Sequence, residues 1–247
     1  MREDFYGWRA KLGLIYPAPG WVMEPEFYAM SPQGVITLTT RVAFNTATVE
    51  GLQQVGPLSV EAARLLADIP VDAFVLGCTS GSFVNGAAYN RALIAQMQEA
   101  TGGIPCTTTA SAVVEALRSF GVNKVAIATP YVDEVNEKAQ AFFAEEGITT
   151  LNIQGLGYSA EPDIDGTSLD RVYRFAKKVD TQDAEALLLL CTGLRTIPVL
   201  DALETDLGKP VISAIQASFW HTLRLAGVQE EVEGFGSLLT RKKLHVY

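Results

Sequence analysis

Short apolar runs bounded by turn residues alternate along this chain with longer segments whose apolar residues recur at helical spacing. The short runs predict eight strands: KLGLIYP (11–17), VITLTT (35–40), DAFVLGC (72–78), IPCTT (104–108), KVAIATP (124–130), TTLNIQG (149–155), EALLLLC (185–191) and KPVISA (209–214). Runs such as LLLL (187–190) are apolar on both faces, which is typical of a parallel sheet covered by helices on each side. The longer segments (59–69, 86–101, 131–147, 168–179 and 196–208) predict the helical crossovers that parallel strands require.

The two halves of this pattern resemble each other. The segment IPCTTTASAVVEALRSFGV (104–122) aligns with KPVISAIQASFWHTLRLAGV (209–228), and in each half this block follows a Cys-Thr strand end after one intervening helix. The sequence therefore predicts an α/β fold with two pseudo-symmetric lobes, residues 1–122 and 123–247, each a four-stranded, mainly parallel sheet with helices on both faces. Such lobes commonly bind ligands in the cleft between them, at the carboxyl ends of the strands.

A cysteine followed by a threonine ends an apolar run once in each half, at Cys78-Thr79 and at Cys191-Thr192. We expect each cysteine to be the last residue of its strand and to lead into a helix N-terminus, whose field would lower the thiol pKa from about 8.5. The N–H groups and hydroxyls that follow would bind a carboxylate. A lone buried cysteine is usually a small apolar residue without chemistry, which is the interpretation for Cys106.

Two thiols on opposite sides of one bound acid allow two kinds of isomerisation. In the first, a thiolate removes the proton beside the carboxylate while a thiol on the other face delivers one, which inverts the carbon. In the second, a thiolate adds to a conjugated double bond, the resulting single bond rotates, and the thiolate leaves again. With one working cysteine, the chemistry reduces to one-sided protonation of an enediolate. None of these routes needs a metal or an organic cofactor.

Composition narrows the classes of function. The 247 residues are 48% hydrophobic and 19% charged, as in ordinary globular proteins. A formal net charge of −9 argues against nucleic acid or an anionic membrane as a partner, whereas a small anionic substrate needs only local donors. Two histidines, His221 and His245, without clustered ligands disfavour a metal site. Three cysteines, and a start (MREDFYGWRA) that lacks a signal peptide's apolar stretch, lead us to expect a cytoplasmic protein with free thiols.

These motifs resemble those of the aspartate/glutamate racemase superfamily, and within it the maleate isomerase and arylmalonate decarboxylase group, over nearly the whole chain. The resemblance is strongest in GCTSGSFVNGAAYNRAL (77–93), GIPCTTTASAVVEALRSFGVNKVAIATPYVDEVNE (103–137) and LLLCTGL (188–194). It implies a two-lobed fold, no metal, no cofactor and, commonly, a homo-oligomer. It places Cys78 and Cys191 at two catalytic positions, and it implies these donors to a substrate carboxylate: Thr79, Ser80, Tyr131 and the main-chain N–H groups of Thr192 and Gly193.

The sequence departs from the group's pattern at three places. Cys78 stands where the decarboxylases of the group have glycine, and the asparagines typical of maleate isomerases are missing from LIYPAPGWVMEPE (14–26) and GLGYSAEPDID (155–165). Pro17, in the first of these stretches, is a candidate substrate contact. Arg195 is expected in the first turn of the next helix, where a cation is electrostatically unfavourable, so we assign it a second substrate carboxylate or, alternatively, a solvent-facing or salt-bridged position.

The leading interpretation is therefore a cofactor-independent isomerase of a small carboxylic acid, either a racemase or epimerase or a maleate-type cis–trans isomerase. The alternative is an arylmalonate-type decarboxylase that uses Cys191 as the proton donor. A two-lobed ligand-binding protein is a third interpretation, against which the duplicated thiols and the expected lack of an export signal weigh.

Overall fold

Two parallel sheets form the centre of the chain, which is described here by a computed structural model over residues 6–44 and 49–241. The first sheet contains β1 (Ala10–Pro17), β2 (Val35–Val42), β3 (Ala73–Leu76) and β4 (Cys106–Thr108), in the order β2-β1-β3-β4. The second contains β5 (Lys124–Thr129), β6 (Thr149–Gly155), β7 (Ala186–Leu189) and β8 (Val211–Ser213), in the equivalent order β6-β5-β7-β8. Every pairing is parallel, so the predicted α/β class and the eight predicted strands are confirmed.

Helices connect the strands and cover the sheets. In the first half these are α1 (Met23–Met30), α2 (Val49–Gln53), α3 (Val55–Leu66), α4 (Thr79–Phe83), α5 (Gly86–Ala100) and α6 (Thr109–Phe120). In the second half they are α7 (Asp133–Glu145), α8 (Glu161–Asp165), α9 (Leu169–Val179), α10 (Leu200–Leu207) and α11 (Ala214–Leu225), with short 3₁₀ turns at Ile197–Val199 and Ser237–Thr240. No helix in the described ranges is long and apolar enough to cross a membrane.

The repeated segments of the two halves pack against each other. Helix α11 lies against α6 and against β3 and β4 of the first sheet. Buried polar pairs cross this contact: the Ser218 hydroxyl donates to that of Thr109 over 2.9 Å, and the Thr107 hydroxyl lies 2.9 Å from Nδ1 of His221. Burial lowers the pKa of His221 to about 4, so its ring is neutral at pH 7. The predicted boundary between the lobes, at residues 122 and 123, lies between the end of α6 and the start of β5. The division into two lobes at this point stays a prediction.

Helix α1 lies in a part of the chain where the sequence pattern predicted no helix. Its apolar residues Met23, Phe27 and Met30 recur at helical spacing and are buried. Pro25 is tolerated because it lies in the first turn, where backbone N–H groups have no partner within the helix. The helix matters for function because it also carries Glu26, a buried acid that contacts the second half of the chain.

Candidate active site

The two Cys-Thr pairs lie at the carboxyl ends of equivalent strands, one in each sheet. Strand β3 ends at Leu76 and β7 at Leu189, so each cysteine lies two residues beyond its strand. The prediction that Cys78 and Cys191 are the last strand residues was therefore wrong by this margin, because the ladder hydrogen bonds stop before the chain turns. Both sulfurs nevertheless reach the same end of the molecule.

One small cavity lies between these strand ends. It is lined by Pro17, Phe44, Cys78, Thr79, Ser80, Tyr131, Glu161, Ile164, Cys191 and Thr192. The structure thus brings together seven of the nine residues that the sequence singled out. The remaining two, Gly193 and Arg195, are not among the lining residues. A larger surface hollow beside α6 and α7 holds Arg91 and Arg118, but both are already paired with Glu146.

Cys78 immediately precedes α4, as predicted, and is 4% exposed. Its sulfur accepts hydrogen bonds from the Gly81 backbone N–H and the Ser80 hydroxyl. A Cβ atom at Gly81 would lie 2.9 Å from that sulfur, so glycine there leaves room for it. Burial outweighs these donors and raises the pKa of the Cys78 thiol to about 12. The predicted lowering of the pKa was wrong because desolvation of the charged sulfur dominates.

Cys191 is followed by a turn rather than by a helix, contrary to prediction. It has φ +118°, and it is the single non-glycine residue with positive φ in the described part of the chain. Its sulfur accepts the Gly193 backbone N–H over 3.3 Å and a hydrogen bond from the Tyr131 hydroxyl. Burial, followed by the charge of Glu161, raises the thiol pKa well above its ordinary value, again opposite to the prediction.

Ser80 and Tyr131 lie beside the two sulfurs. The Ser80 hydroxyl is close enough to Cys78 and to Tyr131 to favour the ionised form of each, and the Tyr131 hydroxyl does the same for Cys191. Tyr131 is held by its backbone N–H, which donates to the Thr129 hydroxyl over 3.1 Å, and by an edge contact with the Phe83 ring. Burial raises the pKa of Tyr131 well above its usual value, which keeps its hydroxyl a proton donor.

Thr79 and Thr192 follow equivalent cysteines but use their hydroxyls differently. The Thr192 hydroxyl donates to the Gly77 carbonyl over 3.0 Å, and the Thr192 carbonyl accepts from the Tyr16 hydroxyl over 2.9 Å. These bonds fix the Cys191 turn against the first sheet. Thr79 is 2% exposed, lines the cavity, and its hydroxyl has no hydrogen-bond partner. A buried hydroxyl of this kind is available to a ligand oxygen.

Arg195 lies in the turn that precedes the 3₁₀ segment, not in the first turn of a helix as expected. Its guanidinium stacks over the Trp21 ring at 5.0 Å, and its charge partly offsets the burial that raises the pKa of Asp165 to about 6. Gly193 places its N–H on the Cys191 sulfur rather than in the cavity. The structure therefore gives both residues supporting positions behind the cavity wall.

Three residues of the cavity wall were not predicted from the sequence: Phe44, Glu161 and Ile164. Among the residues that line the cavity, Glu161 is the one with a carboxyl group, and the other polar side chains are hydroxyls and thiols. Burial, and then the neighbouring Asp165, raise the pKa of Glu161 to about 7. The signal was the acidic stretch EPDID (161–165), which replaces the asparagine expected there, but its spacing alone does not show which carboxyl faces the cavity.

Two other features of the described residues bear on the chemistry. Cys106 lies away from the cavity, where it donates to the Ile104 carbonyl over 3.3 Å. Within residues 6–44 and 49–241 there is no group of three or more His, Cys, Asp or Glu side chains placed to hold a metal ion. The cavity therefore offers two thiols, hydroxyl donors and one carboxyl for proton transfer next to a bound anion.

Known proteins of two kinds are similar to this chain over most of its length. The arylmalonate decarboxylase family profile matches residues 12–239. The arylmalonate decarboxylase of Bordetella bronchiseptica is 36% identical over 233 residues, which cover 92% of this chain and 95% of that protein. A maleate isomerase of Nocardia farcinica is 26% identical over 238 residues, which cover 93% and 95% respectively.

Solved structures give the same result. A liganded arylmalonate decarboxylase, in which a glycine is replaced by cysteine and a cysteine by serine, has a TM-score of 0.86 at 34% identity and covers 93% of this chain and 98% of that one. A maleate cis–trans isomerase of Nocardia farcinica, a cysteine-to-serine variant with a covalently bound succinylcysteine intermediate, shares the fold with a TM-score of 0.88 at 24% identity and coverages of 95% and 99%. With a profile match over most of its length and a relative at 36% identity, the chain belongs to the arylmalonate decarboxylase family.

Proposed function

We propose that this chain is a cofactor-independent isomerase of small carboxylic acids, in which Cys78 and Cys191 act on opposite sides of one bound substrate. The observation that carries the proposal is that both cysteines line one cavity together with a buried, unpartnered Thr79 hydroxyl. Leaving a buried hydroxyl unpaired costs about 1–3 kcal/mol, so a ligand oxygen that accepts its hydrogen bond is favoured.

In the proposed racemisation, Thr79, Ser80 and Tyr131 bind the substrate carboxylate. One cysteine, in the thiolate form that burial makes minor at neutral pH, removes the proton from the neighbouring carbon, and the electron pair moves into the carboxylate, where the donors stabilise it. The other cysteine, as thiol, returns a proton to the opposite face. The Gly81 and Gly193 N–H groups stabilise whichever sulfur is charged, so each cysteine serves as base in one direction and as acid in the other.

The same residues support a cis–trans isomerisation. One thiolate adds to a conjugated carbon–carbon double bond, rotation occurs about the new single bond, and the thiolate is expelled again. A solved maleate isomerase variant holds a covalently bound succinylcysteine intermediate, which supports this route as one form of the proposal.

A decarboxylase is the second candidate, and it is favoured by the family match and by the 36% identity to an arylmalonate decarboxylase. In this reaction a carbon–carboxylate bond breaks, carbon dioxide leaves, and the Cys191 thiol protonates the resulting enediolate. Burial favours the protonated form of Cys191, which is the form that this role needs. Cys78 would have no part in it.

The test is to incubate the protein in D₂O with single enantiomers of candidate acids and to follow deuterium at the reacting carbon by NMR. We expect deuterium incorporation with loss of optical purity. Cys78→Ser and Cys191→Ser should each lower turnover by about 100-fold or more, because each removes one acid–base group. Cys106→Ser is the matched control, since it changes a buried cysteine outside the cavity, and it should retain turnover.

The outcome of the two site variants separates the candidates. Full isomerisation by Cys78→Ser would contradict the two-thiol mechanism. Release of carbon dioxide from arylmalonates that survives Cys78→Ser and is lost in Cys191→Ser would establish the decarboxylase instead.

A further inference from the structure

Glu161 is an ionisable residue in the cavity that none of the proposed mechanisms uses. It lines the same space as both cysteines and the unpartnered Thr79 hydroxyl. Burial raises the thiol pKa of Cys78 and of Cys191, and the negative charge of Glu161 raises both values further. A carboxyl so close to the reacting groups also acts on whatever substituent the substrate places there.

Gly193 leaves room for the carboxyl group of Glu161. A Cβ atom at Gly193 would lie 3.0 Å from Oε1 of Glu161 and 2.9 Å from Oδ1 of Asp165. Both carboxyl oxygens therefore lie close to the backbone of Gly193, whose N–H donates to the Cys191 sulfur. Any larger residue at Gly193 would displace the acids, so the glycine keeps the carboxyl of Glu161 beside Cys191.

The two acids differ in how their charge is balanced. Asp165 is buried, receives a hydrogen bond from the Trp21 indole and is partly compensated by Arg195, although its Oδ1 has no hydrogen-bond partner. For Glu161, burial and Asp165 both favour the protonated form. Neither acid takes part in a salt bridge in the described ranges. Glu161 thus has no ion-pair partner among the described residues, and a cationic group of the substrate could become one.

We infer that Glu161 is a specificity-determining residue that disfavours a second substrate carboxylate and favours a monocarboxylic acid bearing a hydrogen-bond donor, such as an ammonium group, on its reacting carbon. This inference rests on the proposed function, since it assumes that the substrate carboxylate binds at Thr79 and Ser80. A second carboxylate would face Glu161 at close range, and like charges so placed in a buried site repel strongly. An N–H donor would instead give Glu161 its missing partner. The apolar wall of Phe44, Ile164 and Pro17 accommodates an apolar remainder.

Three probes of nearly equal shape test this inference: 2-phenylglycine, 2-phenylpropionate and phenylmalonate. They share a phenyl group and a carboxylate and differ at one substituent, which is ammonium, methyl or carboxylate. Binding is measured by isothermal titration calorimetry at pH 8, where Glu161 is mostly ionised. This readout does not depend on turnover.

For the unsubstituted protein we expect the ammonium probe to bind about tenfold or more tightly than phenylmalonate, with phenylpropionate between them. Glu161→Gln should reduce that ratio by about tenfold. Asp163→Asn is the matched control, because it removes an equal charge from an exposed position of α8, and it should leave the ratio unchanged.

Phenylmalonate binding as tightly as phenylglycine, absence of phenylglycine binding, or an unchanged ratio in Glu161→Gln would each overturn the inference. The first two outcomes use the unsubstituted protein, so they hold even if Glu161→Gln fails to fold. The proposed function fails separately, through the deuterium experiment. Selective binding without deuterium exchange would remove the racemase and leave the role of Glu161 intact.

Discussion

At the scale of single residues, Cys191 is the least ordinary position in the described chain. Its φ of +118° lies in a region that glycine adopts readily and other residues rarely do. Such a conformation costs about 1–3 kcal/mol, and it persists only where the surrounding structure enforces it. Here the enforcing contacts are the Thr192 bonds to Gly77 and Tyr16, which hold the turn.

This strain predicts that Cys191→Gly is more stable to urea unfolding than Cys191→Ala, by about 1 kcal/mol. Glycine relieves the strained backbone, and the gain exceeds the roughly 0.5–1 kcal/mol that glycine loses in chain entropy. Both variants lack the sulfur, so the comparison isolates the backbone, and neither should turn over substrate. A glycine variant less stable than the alanine variant would show that the turn is unstrained.

The sequence predicted the identity of the site residues better than their chemical state. The motif positions Cys78, Thr79, Ser80 and Tyr131 all line the cavity. The thiol pKa shifts were predicted with the wrong sign, because a motif shows a helix N-terminus but does not show how completely a sulfur is removed from water. Glu161 was missed for the same reason, since which acid of EPDID faces inward depends on tertiary packing.

At the scale of elements, the strands were predictable because eight apolar runs bounded by turn residues leave few alternatives in a parallel sheet.

The hydrogen bonds between α1 and the segment after Cys191 were not predictable, since they join residues 170 positions apart. Glu26 of α1 accepts the Thr196 N–H over 2.8 Å and the Ile197 N–H over 3.4 Å. This acid fastens the segment after Cys191 to the first half of the chain.

Glu26 makes stability depend on pH. Burial raises its pKa from 4.5 to about 7 although the two N–H groups and the Thr196 hydroxyl all donate to it, so the folded protein holds a proton that the unfolded chain releases between these values. The contribution of Glu26 is therefore full below pH 4.5, and about 3 kcal/mol of it is lost as the pH rises through 7.

We predict that Glu26→Gln weakens this loss of stability. Glutamine keeps an acceptor for the backbone N–H groups but does not ionise, so urea unfolding at pH 5 and at pH 8 should differ less than in the unsubstituted protein. Glu161 and Asp165, whose pKa values are also raised, contribute to the pH dependence of both proteins, so their contribution cancels in the comparison. An equal pH dependence in both would show that Glu26 is not the group responsible.

At the scale of the whole molecule, the duplicated architecture explains how one chain presents two thiols to one space. Equivalent strands β3 and β7 deliver Cys78 and Cys191, and the packing of α6 against α11 holds the two halves in register. The repeat seen in residues 104–122 and 209–228 predicted this relation, whereas the distance between the halves depends on contacts that no local pattern contains. Assembly into a homo-oligomer stays a prediction.

The most direct measurement is a crystal structure of the protein with an unreactive substrate analogue bound in the cavity. The proposed mechanism predicts that the sulfurs of Cys78 and Cys191 both lie within about 4 Å of one carbon of the ligand, on opposite faces, with its carboxylate on Thr79 and Ser80. A ligand whose reacting carbon is approached by Cys191 alone, with Cys78 turned away, would contradict it.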